Sequence, residues 1–430
     1  MPTDRSGLTL STSSDAATCY RTGIERLLRL DAGAVEHLEQ AVRQDPTFAL
    51  GHATVALLAA EYGDRAHANI HLHLAARNSA RASAHERSAV HALGVVCTGD
   101  GPAAFKTLVR HLTDYPSDAL LLDVAFPTIA FSGVTETSAE VWSLVEGAAP
   151  AYGDDWFYLS LLAFVRQEQE RYDEAMTLAD RALEIEPFSG HAVHAAAHVH
   201  YETSDYAGGL QWLDSWLARS PATSTEFRSH ASWHAALYEL CLGDIGAVQR
   251  RWHSQLAPPE SEGLRVLVDA GSMLHRCQLR KVWEVDLPTD QLISAASTEL
   301  LRRPPSAFAA LHAGLAWAVA GEADELAALT RYATEAFPCG TEVLGPILEG
   351  LLAQVEGRHA AAAELIQRGL PHLERLGGSI AQRGVVHEAL VRALVDSGRL
   401  DDARQHLTEQ MDSGRTVHWV PRELSATSAG

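Results

Sequence analysis

No stretch of this chain sustains the period-two alternation of apolar and polar residues that marks a half-buried strand. The pattern reads instead as helix after helix. Two segments, 33–46 and 174–187, align without gaps: Ala34, Ala41 and Pro46 match Ala175, Ala182 and Pro187 at identical spacing. Small residues let one helix lie close to its partner, and a proline two steps past the helix stops it. The same phase returns over 104–116 and 209–221, and again around Ala333 and Pro338. Ala361 and Ala403 sit in similar settings without the proline.

Gly-polar pairs precede many of these segments: Gly63-Asp64, Gly99-Asp100, Gly243-Asp244, Gly357-Arg358 and Gly398-Arg399. Such pairs suit the tight link inside a helical hairpin. The expected fold is all-α, a right-handed α-α superhelix of tetratricopeptide-like helix pairs. Its expected organisation is a flexible N-terminus over 1–15, one continuous array over 16–412 and an extended tail over 413–430, where Trp419 and Val420 could dock on the last helices. Expected loops span 150–155, 256–262 and 285–290.

Composition narrows the partners. Lys+Arg 34 against Asp+Glu 55 gives 34 − 55 = −21. A surface this acidic repels phosphate backbones, and the basic clusters, such as Arg250-Arg251 and Arg302-Arg303, are short. Neither nucleic acid nor an anionic membrane is expected as a partner. The five cysteines are scattered and never form a CxxC, which points to a reducing, cytoplasmic compartment and away from a zinc ribbon. The polar start of the chain has no apolar core of a signal peptide, and no run is long enough to span a membrane.

The candidate chemistry lies in histidine. Six of the 22 histidines fall between His191 and His234. His194 and His198 are four apart, so a helix puts them on one face, with His191 three positions before, while His200 points elsewhere. His230 and His234 form a second HxxxH. Both pairs fall in first helices of neighbouring repeats, which line the inner face side by side. Three readings stand together. The histidines could be structural, packed against Trp233 and Tyr238. They could bind a divalent metal ion, with Glu168, Glu202 or Asp269 recruited. They could move protons on a bound small molecule. With no glutamate inside either pair, a zincin is excluded. A third pair, His67 and His71, starts an outer helix and reads as solvated or structural. Trp212, Trp216 and Trp233 read as core. No phosphate-cradling loop and no GxSxG is present. Ser379, after Gly377-Gly378, reads as a helix cap rather than a nucleophile.

Over 20–411 the sequence resembles the tetratricopeptide repeat protein 38 family. The resemblance rests on Ala163-Phe164 with Glu168, His194-Ala-Ala-Ala-His198, and His230-Ala-Ser-Trp-His234. It continues through Asp269-Ala-Gly-Ser-Met-Leu-His-Arg276, His312 after Phe308, and Gly377-Gly-Ser-Ile-Ala-Gln-Arg383. It implies a polar site on the inner helices, with Glu168, Trp233, Asp269, His312 and Arg383 joining the four histidines. Arg383 would orient an anion or pair with an Asp or Glu of the neighbouring repeat. The chain departs from the family at Ile380 and Gly384, where the signature has His and Asp, and at Ala231, where it has Asn. The rival expectation is a scaffold that takes a peptide or partner protein in an open concave groove.

Overall fold

The computed structural model describes residues 1–99, 101–130, 137–261, 263–283, 285 and 287–425. Asp100 of the Gly99-Asp100 turn, Glu262 and Asp286 of two expected loops, and 426–430 of the expected tail lie outside them. The described residues form helices throughout, and their bridges are two isolated pairs. Helices pair antiparallel and the pairs stack, as in Ser14–Arg29 with Ala34–Gln44, Ala49–Glu61 with Arg65–Asn78, and Trp156–Glu168 with Tyr172–Ile185. The chain is an α-α solenoid.

The alanine-proline phase marks second helices as expected. Ala41, Ala104, Ala182 and Ala333 are buried on Ala34–Gln44, Gly101–Asp114, Tyr172–Ile185 and Ala323–Ala336. Gly63, Gly99, Gly243, Gly357 and Gly398 all take φ between 74° and 81°. This left-handed conformation carries no Cβ penalty for glycine and lets the chain reverse between paired helices.

First helices of successive pairs pack side by side and face inward: Trp156–Glu168 against Gly190–Glu202, and Gly190–Glu202 against Thr225–Leu242. The superhelix also closes on itself. Ala32 N donates to Ala222 O at 2.8 Å, and Ser224 N to Leu30 O at 2.9 Å. Glu168 meets Arg383 at 3.2 Å. Residues 1–13 lie against the array, with Leu10 buried and Arg5 paired to Glu25 and Asp155. Beyond Asp412 the chain turns back: His418 stacks on Tyr201 at 3.7 Å between ring centroids, and Thr416 Oγ1 donates to Glu202 O. Among the described residues, no helix is long and apolar enough to cross a membrane.

Candidate functional site

Two helices carry the histidines. Ser189 caps the Gly190–Glu202 helix by accepting from Ala192 N, and buried Ala192, Ala195 and Ala196 let it pack closely among its neighbours. Ser224 caps Thr225–Leu242 in the same way, and Gly243 ends it. Side by side, these helices bring His194, His198, His230 and His234 into one cluster, with neighbouring ring centroids 4.5 to 5.2 Å apart. Phe164 covers it, 5.1 Å from His194 and 5.3 Å from His198. His194 is partly exposed and the other three are buried.

The nitrogens converge. His194 Nε2 lies 3.0 Å from His198 Nε2 and 3.0 Å from His230 Nε2. A neutral imidazole has one N–H and one lone pair, so a single proton on His194 cannot satisfy both neighbours. Neither nitrogen of buried His234 has a hydrogen-bond partner among the described residues, nor does His198 Nδ1. Ligand atoms of His194, His230 and His234 all fall within 4.8 Å of one another. Nitrogens about 2.0–2.1 Å from a common tetrahedral ion would stand roughly 3.3 Å apart; His194, His230 and His234 come near that spacing, while His198 touches the group through His194. Burial, reinforced by the other histidines, holds His194, His198 and His234 well below the usual imidazole range. They are therefore neutral, the form that binds metals.

Asp269 orients the cluster. It sits in the π-helical turn Val266–Gly271, a local departure from helix regularity. Trp252 Nε1 donates to Ala270 O and Ser272 Oγ to Asp269 O, which fixes the turn. Asp269 Oδ1 lies 3.0 Å from His230 Nδ1. A carboxylate there makes Nδ1 the protonated nitrogen and leaves the Nε2 lone pair facing His194. Burial opposes ionisation of Asp269, but His230 and Arg265 hold its carboxyl below the ordinary range.

The other expected site residues divide. Trp233 stacks on His230 at 5.5 Å and donates to Ser272 Oγ. Glu168 pairs with Arg383 and accepts from Ile380 N at 3.1 Å. The partner of Arg383 is thus not on an adjacent repeat but 215 positions away. His312 Nδ1 contacts Phe308 O at 2.9 Å, while its buried Nε2 has no partner among the described residues. Glu202, one turn past His198, lies 3.4 Å from His418. Ser379 does cap Ile380–Asp396. His191 leaves the shared face and pairs with Asp123 at 3.3 Å, and His200 turns to Asp205 as expected. His71 is buried rather than solvated, its Nδ1 3.0 Å from His52 Nδ1, and burial and its neighbours push it down to about 4.

The nearest cavity, about 170 Å³, is lined by Glu202, Ile380, Arg383, Gly384, Glu388 and Trp419 among others. Of the expected site residues, Arg383 and Glu202 line it. The four histidines pack against one another, and this cavity is lined by other residues. Sequence reasoning also missed a second group, His85, His111 and Asp118, spread over 33 positions. Both imidazoles direct Nε2 at Asp118 Oδ2, at 2.6 and 3.1 Å, while Asp118 Oδ1 caps Leu121 N; His111 Nδ1 meets Ser88 Oγ, and His85 Nδ1 has no hydrogen-bond partner among the described residues.

No family model matches the chain. A solved tetratricopeptide repeat protein from Parabacteroides merdae ATCC 43184 is similar at 15% identity, over 72% of this chain and 98% of its own, with a TM-score of 0.35. The human IFIT1 dimer with m7Gppp-AAAA is 11% identical over 96% of this chain and 97% of its own, at 0.40. Yeast Tom70 is 9% identical over 95% and 85%, at 0.35.

Proposed function

We propose that the inner helices hold a divalent transition-metal ion of the zinc class through His194, His198, His230 and His234, and that the centre serves chemistry on a small molecule. The approach of His198 Nε2 and His230 Nε2 to His194 Nε2, each at 3.0 Å, beside an unpartnered His234, carries the reading. An all-imidazole set suits zinc, copper, nickel or iron. Asp269 on His230 has the placement of the carboxylate that orients a metal-binding imidazole. A bound ion would supply Lewis acidity and a more acidic water. Pure acid–base use of these histidines is less favoured, because imidazoles held far below neutrality are poorly matched to proton transfer near pH 7. The kinship with the tetratricopeptide repeat protein 38 family belongs to the same proposal, with Ile380 and Gly384 marking an altered site. So does a cytoplasmic setting, in keeping with five free cysteines.

The second reading is a scaffold for a peptide or partner protein. Stacked helix pairs favour it, since their concave faces bind extended segments, and an acidic chain would select a basic one. Against it stands the Glu168–Arg383 contact, which closes the inner face beside the cluster.

Elemental analysis of the purified protein, with His194→Ala and His230→Ala alongside, tests the metal. About one ion per chain is expected in the wild type, falling by more than half in each variant. A metal-free wild type that takes up no zinc, nickel or copper on dialysis would sink the reading and leave the scaffold.

A further inference from the structure

Arg276 is fully buried, at 0% exposure. Its Nη2 donates to Ala381 O at 2.6 Å, but Nε and Nη1 have no hydrogen-bond partner among the described residues. The nearest carboxylate, Glu388, is 3.6 Å from Nε and is already gripped by Arg280 through both oxygens, at 3.0 and 3.1 Å. Two guanidinium groups thus share one carboxylate. Other buried arginines are served differently: Arg251 engages Glu239 and Asp214, and Arg392 engages Asp396 and Glu423. A guanidinium stays charged at any physiological pH, so burying it without a counter-anion is costly.

What faces this group is a glycine. A Cβ on Gly384 would stand 3.7 Å from Arg276 Nη2 with no other contact within 4 Å outside its own helical turn. Gly384, Ala381 and Glu388 also line the cavity of about 170 Å³. Arg276 does not itself line the cavity; the side-chain position missing at Gly384 lies between them, in contact distance of Nη2. The cavity walls include Leu373, Ile380, Val391 and Trp419, apolar surface that suits an organic stem better than inorganic phosphate.

We propose that Arg276 is the anchor of a binding site for a small organic carboxylate, which enters the cavity and reaches the guanidinium past Gly384. Its planar N–H groups match two carboxylate oxygens. The site does not rest on the metal reading.

The test uses thermal unfolding of the full chain with sodium butyrate as probe, against sodium chloride and phosphate at equal ionic strength. Butyrate should raise Tm by about 2–3 °C beyond either control. Gly384→Asp supplies a carboxylate from the protein itself. It should raise Tm above that of Gly384→Asn, which matches its shape without charge, and should abolish most of the butyrate response. The proposal is overturned if butyrate does no more than chloride or phosphate. It is equally overturned if Gly384→Asp is no more stable than Gly384→Asn, or if it keeps the full butyrate shift. Arg276 itself stays untouched, so a folding failure cannot obscure the result.

Discussion

His230 and Asp269, 39 positions apart, meet through Nδ1 and Oδ1 at 3.0 Å, in a site where neither is exposed. The bond leaves the His230 Nε2 lone pair for whatever the other three imidazoles share. Removing the charge while keeping the shape, Asp269→Asn, should weaken metal binding about 10- to 100-fold without unfolding the chain. Competition against a chromophoric chelator measures this. Wild-type affinity in the variant would mean that Asp269 merely fills space.

Glu168 and Arg383 are both mostly buried and 3.2 Å apart. Arg383→Met strands the carboxylate, and the expected loss is about 3 kcal/mol in urea unfolding. Glu168→Leu combined with Arg383→Met should recover a large part of it. A single variant as stable as wild type would show that the pair contributes nothing to closure.

Gly190 opens the first histidine helix, and its approach to the opposite wall is close. A Cβ there would meet Arg29 O at 2.8 Å and both Leu30 Cβ and the Phe227 ring at 3.0 Å. Gly190→Ala should therefore destabilise by about 1–3 kcal/mol, even though alanine is the better helix former. A stabilised variant, read by denaturant midpoint, would contradict the close packing.

The His85–Asp118–His111 group makes stability depend on pH. Burial disfavours the charged form of each partner, but their mutual hydrogen bonds win: His85 is raised above the usual imidazole range and Asp118 lies well below the usual carboxylate range. The His85 contribution is complete below its unfolded pKa of about 6.5 and fades as pH rises through the raised folded value. That of Asp118 is complete above about 3.9 and is lost as pH falls through its depressed value. The joint plateau spans roughly pH 4 to 6.5. Asp118→Asn should cost stability most on that plateau and reduce the decline above it, as chemical denaturation at pH 5, 7 and 8.5 would reveal. A constant difference across the three would rule out the coupling.

The solenoid was legible because its signals are local. Ala34, Ala41 and Pro46 declare a second helix within 13 positions, and Gly63 or Gly243 declares the turn. The HxxxH pairs were legible for the same reason, since four positions make one turn. The rest depended on distance along the chain. Asp269 reaches His230 from a π-helical turn that breaks the very periodicity used to read faces. For Arg383 the sequence allows a substrate anion or a carboxylate on the neighbouring repeat, yet its partner comes from the fifth helix pair. His191 has the right spacing but finds Asp123, which no local pattern foretells. The shortage of partners at Arg276 is visible only once Arg280 is seen to occupy Glu388.

Closure also constrains how this chain can change. In an open solenoid each helix pair touches only its neighbours, so a pair can be gained or lost with little consequence elsewhere. Here Ala32 is bonded to Ala222, Glu168 to Arg383, and Glu202 to Thr416. Duplicating or deleting a pair between two linked residues would rotate and shift one out of reach of the other, and every link that spans that pair would fail. The number of repeats is thereby frozen, and the array should melt as one cooperative body rather than fray from its ends.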